Sequence, residues 1–203
     1  MRFRLAVARR VLPVMVVVWV LFGGAPARAG EIQIDAGSTV LASSWQGDFG
    51  AGGLLRLGYR FGRIVAIDFV GWEQMAVVNE RLDTGLTFGV TGFIPLKRVR
   101  PSLRVFAIHQ HEEGVVSVAQ NPGGFLFGIG SGIRHRAGGG LTLGVEIPFR
   151  RSKAGDLEWV VLAEVEGIWF PPGTPVGPSG LGPELYYGGT VGIGFNYSLP
   201  RLP

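Results

Sequence analysis

The sequence predicts an all-β protein: an antiparallel, up-and-down β-barrel of about eight strands, with ten as the alternative, crossing a membrane and following an N-terminal signal peptide. Three observations carry this. From Leu141 to Phe149 the apolar residues Leu141, Leu143, Val145, Ile147 and Phe149 share one parity, while Thr142, Gly144, Glu146 and Pro148 share the other. Successive strand side chains point to opposite faces, so one face is apolar and the other small, polar or charged. The last candidate strand repeats this, with Tyr187, Val191, Ile193, Phe195, Tyr197 and Leu199 against Gly188, Thr190, Gly192, Gly194, Asn196 and Ser198. The second observation is the opening segment, and the third is 34 glycines in 203 residues, which fall on the polar parity of alternating stretches.

The first element is the leader. Arg2, Arg4, Arg9 and Arg10 precede the apolar run Val11 to Phe22, and Ala27-Arg28-Ala29 stands before Gly30. A basic start, an apolar middle and small residues two apart are the layout of a secretory signal, cleaved here after Ala29. The apolar run is shorter than the ~20 residues of a spanning helix. Residues 1–29 are therefore the expected signal peptide and 30–203 the barrel domain. Losing the leader's five arginines leaves 14 basic against 15 acidic residues. The basic character belongs to the leader, and no nucleic-acid footprint remains. Cysteine is absent, which excludes disulfides, thiolate metal sites and a cysteine nucleophile. No further run is long enough for a helix to span a bilayer, so any crossing must be made by strands in a closed sheet, where every backbone group finds a partner.

Alternation places strands over 31–41, 52–61, 64–74, 82–94, 102–112, 124–136, 140–150, 156–170 and 185–199. Phe61-Gly62-Arg63 links the second to the third tightly. Ile94 to Pro101, with Lys97, Arg98 and Arg100, turns between the fourth and fifth, and Arg136 to Gly140 reads as a glycine-rich hairpin turn between the sixth and seventh. Longer connections cover 42–51, 75–81, 113–123 and the Pro/Gly-rich 171–184. Short links then fall at 62, 97 and 138 on one side. Nine segments is odd, whereas a barrel with both ends in the periplasm needs an even number. The conflict sits after residue 150, where 171–184 emerges on the wrong side unless a strand is lost or added.

The polar parity carries Asp35, Arg56, Arg60, Asp68, Arg104, Arg134, Arg136, Glu146, Arg150, Glu158, Glu164 and Glu166. An eight-stranded barrel is only just wide enough for its own side chains, so a paired network is expected rather than an aqueous channel. Glu146, Glu158, Glu164 and Glu166 have a second reading as a carboxylate site, and the nearby arginines favour ion pairing. Trp159 and Trp169 bracket one strand on the outward parity, with Tyr59, Phe61, Phe149, Tyr187 and Tyr197 near other strand ends, as in the aromatic girdles of a membrane barrel. The competing fold is a soluble lipocalin-like barrel with the apolar parity inward, which would leave many glycines on an exposed face.

The leader, the glycine-alternating strands and the closing segment Tyr186 to Leu199 resemble the small outer-membrane β-barrel proteins of Gram-negative bacteria over the whole mature chain. The resemblance implies an outer-membrane location, contact with outer-membrane lipid and lipopolysaccharide, and reading of the last strand by the barrel-assembly machinery. The chain departs from it by ending Pro200-Arg201-Leu202-Pro203 instead of on an aromatic residue. Members range over structural proteins, adhesins, small-solute pores and lipid-modifying enzymes, so the expected role is structural, surface-interactive or a narrow pore.

One constellation could carry chemistry: His109-Gln110-His111-Glu112-Glu113, at the outer end of a strand. His109, His111 and Glu113 share a parity and could hold a divalent metal or form a His–carboxylate pair. A lipid A-deacylating barrel enzyme is the alternative, but no serine follows the histidines closely and Ser117 lies in the next loop. His135 is expected near the opposite end, at an interface. The run Gly128 to Gly132 lacks the third glycine of a nucleotide loop, and no nucleophile elbow, Walker loop, zinc-protease helix or calcium loop occurs. The expectation is a non-enzyme without catalytic residues, cofactor or resident metal.

Overall fold

The computed structural model describes residues 30–44, 47–126, 129, 133–172 and 184–199. The expected signal peptide, the Gly128–Gly132 run apart from Ile129, most of the 171–184 connection and the Pro200–Pro203 end lie outside them. Eight strands follow one another: β1 Glu31–Ser43, β2 Phe49–Phe61, β3 Val65–Ala76, β4 Arg81–Phe93, β5 Arg100–Gly114, β6 Arg134–Arg151, β7 Leu157–Phe170 and β8 Glu184–Ser198. Two short helices, α1 Val115–Gln120 and α2 Pro122–Leu126, stand between β5 and β6. Every strand pairs antiparallel with the next, and β8 returns to β1 in a register that sets Ile34 opposite Phe195, which closes the barrel.

The parity conflict resolves at β6. The expected strands 124–136 and 140–150 are not two strands: residues 122–126 are helical and 134–151 form one strand. Arg136 to Gly140 is therefore not a turn. Gly139 lies between Ala107 on β5 and Trp169 on β7, in full ladder register. The glycines serve close packing: a Cβ on Gly140 would stand 2.4 Å from the Phe106 ring, and one on Gly138 would stand 2.4 Å from the Trp169 carbonyl oxygen. Glycine signals a bend and a tight approach equally well in sequence, and here the approach is the cause. With this correction the short links 62–64, 94–99 and 152–156 share one end with Gly30 and Leu199, whose backbones are bonded at 2.9 Å. The connections 44–48, 77–80, 115–133 and 171–183 share the other.

Local chemistry explains the shortest link. Gly62 and Arg63 have φ of 57° and 69°, and the Ile64 amide donates to the Phe61 carbonyl at 3.2 Å. Two consecutive positive φ values are the type I′ requirement, here within the three residues that separate Phe61 from its register partner Val65. Arg63 adopts a conformation that favours glycine, and its Nε donates to Glu31 Oε1 at 2.9 Å.

The apolar parity faces outward. Leu143 is 60% and Ile193 48% exposed, whereas Glu146 retains 3% and Arg60 none. A lipocalin-like arrangement is thereby excluded. No helix among the described residues is long and apolar enough to cross a membrane. Aromatics gather outward near both ends: Tyr59, Phe61, Phe149 and Tyr197 toward the short links, and Phe49, Trp169 and Tyr187 toward the long connections. Trp159 and Trp169 are ten residues apart on β7, which at about 3.4 Å per residue and a tilt near 40° spans roughly 25 Å, the height of a barrel's apolar belt.

Two charged residues sit differently from expectation. A bulge between Pro148 and Arg150 inserts one residue into β6 and sets Arg150 opposite Trp159, on the outward face. Arg150 is therefore exposed and outside the interior network. Arg100, expected in a turn, opens β5 and is buried.

Candidate functional site

The interior is built in layers, and β5 orders them: Arg100, Arg104, Phe106, Ile108, Gln110 and Glu112 point inward in succession from the short-link end. In the lowest layer Arg60 bonds Glu146 and approaches Glu31 at 3.8 Å, while Arg100 lies 2.5 Å from Glu158 and 3.6 Å from Glu146. Above it Arg56 meets Glu164 at 2.9 and 2.7 Å and Asp35 at 3.5 Å. Arg104 donates to Asp68 at 2.6 Å and to Thr87 at 2.7 Å, and Thr91 donates to the second Asp68 oxygen at 2.5 Å. The expected carboxylate site is thus resolved into ion pairs for Glu146, Glu158 and Glu164. Glu166 has no cation within ion-pair distance among the described residues.

An apolar layer follows, made by Leu41, Trp72, Phe106, Ile108, Ile168, Phe170 and Tyr186. Guanidinium groups cover it from both sides, Arg104 over Phe106 at 4.5 Å and Arg136 over Phe170 at 4.7 Å. Gln110 donates to the Tyr186 hydroxyl at 3.2 Å. The uppermost layer returns to charge: Glu112 accepts from Arg81 and, at 2.9 Å, from Arg134, while Arg136 and Ser43 donate to Glu184. Glu31, Arg81, Glu112 and Glu184 were not among the expected interior charges. Glu112 shares the parity of Arg104 and was legible on that ground, whereas Glu31 and Glu184 stand at strand ends.

Imidazoles form the second cluster, on the outer wall at the long-connection end. His109 and His111 project from β5 on one face, as expected. His135 is not at the opposite end; it is the register partner of His111. The reason is the continuity of β6, whose first residues must lie beside the last residues of β5. His109 Nε2 and His135 Nδ1 are 3.2 Å apart, one ring donating and the other accepting, and these rings stack with centroids 5.3 Å apart. The His111 ring lies 5.9 Å from each of the others. One ring nitrogen from each of the three can be chosen so that all lie within 4.8 Å of one another. Glu113 is not a member of that group. His109 and His135 are exposed and His111 is buried. His135 stands four residues beyond Gly139, the partner of the girdle residue Trp169, toward the long connections.

No protein-family model and no curated protein sequence matches the chain. Solved structures do. Neisserial surface protein A aligns over 86% of this chain and 100% of its own, at 12% identity and a TM-score of 0.56. The N-terminal β-barrel domain of Pseudomonas aeruginosa OprF aligns over 85% and 100%, at 14% identity and a TM-score of 0.51. These are small outer-membrane barrels of Gram-negative bacteria, and the fold of this chain is theirs.

Proposed function

We propose that this chain is an exported outer-membrane barrel with a closed lumen, acting through its outer face and its long connections in a structural or surface-interaction role and not as an enzyme or a pore. The apolar layer between two charged layers carries the reading. A conduit for ions or polar solutes needs continuous polar lining, and here Trp72, Phe106, Phe170 and Tyr186 fill the cross-section of a tube that has little room to spare. The exposed apolar belt with aromatics at both rims supports a lipid-facing wall, and membrane lipid and lipopolysaccharide are the partners that wall would meet. The shared fold with a protein named for the bacterial surface is in keeping with this. Residues 1–29 are proposed as its cleaved export signal, and the barrel-assembly machinery as the partner that inserts it.

Planar-bilayer recording tests the reading. The purified folded barrel is expected to leave the membrane current at its baseline. Discrete, reproducible conductance steps at neutral pH would overturn the closed lumen. Fractionation is expected to place the protein with outer membranes, in a form whose gel mobility changes on heating.

A further inference from the structure

The chain contains three histidines in 203 residues, and all three meet at one place on the outer wall. They arrive from two strands. His109 and His111 are two residues apart on β5, and β6 brings His135 directly opposite His111. We propose that His109, His111 and His135 together bind one divalent first-row transition-metal ion, with Zn²⁺ as the reference case.

The geometry suits such an ion. Zinc bound by imidazole has Zn–N distances of about 2.0–2.1 Å, so two nitrogens of a tetrahedral site stand about 3.3 Å apart. The His109 Nε2 to His135 Nδ1 separation of 3.2 Å already matches this. The third nitrogen needs to close by about 1.5 Å from the 4.8 Å limit of the group, a movement that binding of the ion has to drive. Three imidazoles leave a fourth position for water or an incoming ligand, and the exposure of His109 and His135 gives the ion a path from solvent. An all-imidazole set selects Zn²⁺, Cu²⁺ or Ni²⁺ over Mg²⁺ and Ca²⁺, which take oxygen ligands. Its place beyond the girdle puts the site at the membrane rim and not among lipid tails.

The test is a Zn²⁺ titration of the full folded chain, free of any affinity tag, in detergent and again in lipid bilayers. Because no other histidine exists in the chain, the imidazole NMR signals report on this site alone. All three are expected to shift together and stop at one equivalent of Zn²⁺, with no response to Mg²⁺. Affinity should fall by roughly tenfold or more in His109→Ala and again in His135→Ala, both exposed positions, with heat-modifiable gel mobility confirming that each variant is folded. Lowering the pH should release the ion, since protons compete for the same nitrogens. Wild-type protein taking up no more Zn²⁺ than the micelle or bilayer alone would overturn the proposal, as would unchanged binding in both variants. Histidine-dependent binding of inorganic phosphate at low pH without Zn²⁺ uptake would also overturn it, and would assign the cluster to anion recognition instead.

Discussion

Arg56 on β2 holds Glu164 on β7 through two parallel hydrogen bonds, Nη1 to Oε1 at 2.9 Å and Nη2 to Oε2 at 2.7 Å. These strands are not neighbours; β1 and β8 lie between them. The contact therefore crosses the lumen and ties opposite walls together, where the two-point geometry available to arginine gives direction as well as strength.

Removing Arg56 strands two carboxylates, Glu164 and Asp35, in the interior. Arg56→Ala is expected to cost about 3–5 kcal/mol, because the charges left behind keep their desolvation penalty without a partner. Arg56→Met combined with Glu164→Leu should recover the part of that loss owed to Glu164, while Asp35 still lacks its cation. Urea unfolding in lipid vesicles checks both, and a double variant no more stable than Arg56→Ala would contradict the assignment.

Gly140 meets the Phe106 ring and the Gly167 carbonyl oxygen, which would lie 2.4 and 2.7 Å from an added Cβ. Gly140→Val should destabilise the barrel by about 1–3 kcal/mol through overpacking. Phe106→Leu in the same chain should return part of the loss. If Arg136 to Gly140 were a turn, valine there would disturb strand pairing and Phe106→Leu would return nothing.

Asp48 joins two connections. Its Oδ1 accepts from the Phe49 and Val78 amides at 2.8 and 2.9 Å, and its Oδ2 from the Asn79 amide at 3.2 Å and side chain at 2.6 Å. Asp48→Ala leaves these donors without their acceptor, a loss of roughly 2–3 kcal/mol. Amide exchange at Val78 and Asn79 should accelerate while the β2 and β3 ladders keep their protection. Unchanged exchange at those two amides would show that water replaces the carboxylate at no cost.

Orientation is read by single-cysteine labelling in a chain that has no cysteine of its own. A probe on Ile193→Cys or Leu143→Cys should be quenched by lipid-borne quenchers and be insensitive to water-soluble ones. Cysteine at Glu146 should resist modification by either class in the folded protein. Reactivity of that position from water would reverse the faces of the barrel.

The fold was legible wherever it depended on the two-residue period. The outward stripe of β6 and β8, the inward placement of Asp35, Arg56, Arg60 and Asp68, and the tight link at Gly62 all follow from residues close in sequence. Eight strands were expected and eight are found, but the course of residues 124–150 was not legible, because the glycines at 138–140 signal a turn and a close approach alike. What decides between them is the presence of Phe106 and Trp169 on the flanking strands. The bulge at Pro148 that turns Arg150 outward was hidden for a related reason, since one inserted residue changes parity without changing composition.

Sequence alone determined that this chain forms amphipathic strands with one oily face and one face of glycine and charge, and that it carries a lone pair of histidines two residues apart with a third at a distance. Tertiary structure alone decided that His135 joins them, that Arg56 finds Glu164, and that seven apolar residues meet in one buried layer of the interior. The physical reason is that side-chain direction is set by local backbone geometry, whereas partners are set by register and closure, which belong to all eight strands at once.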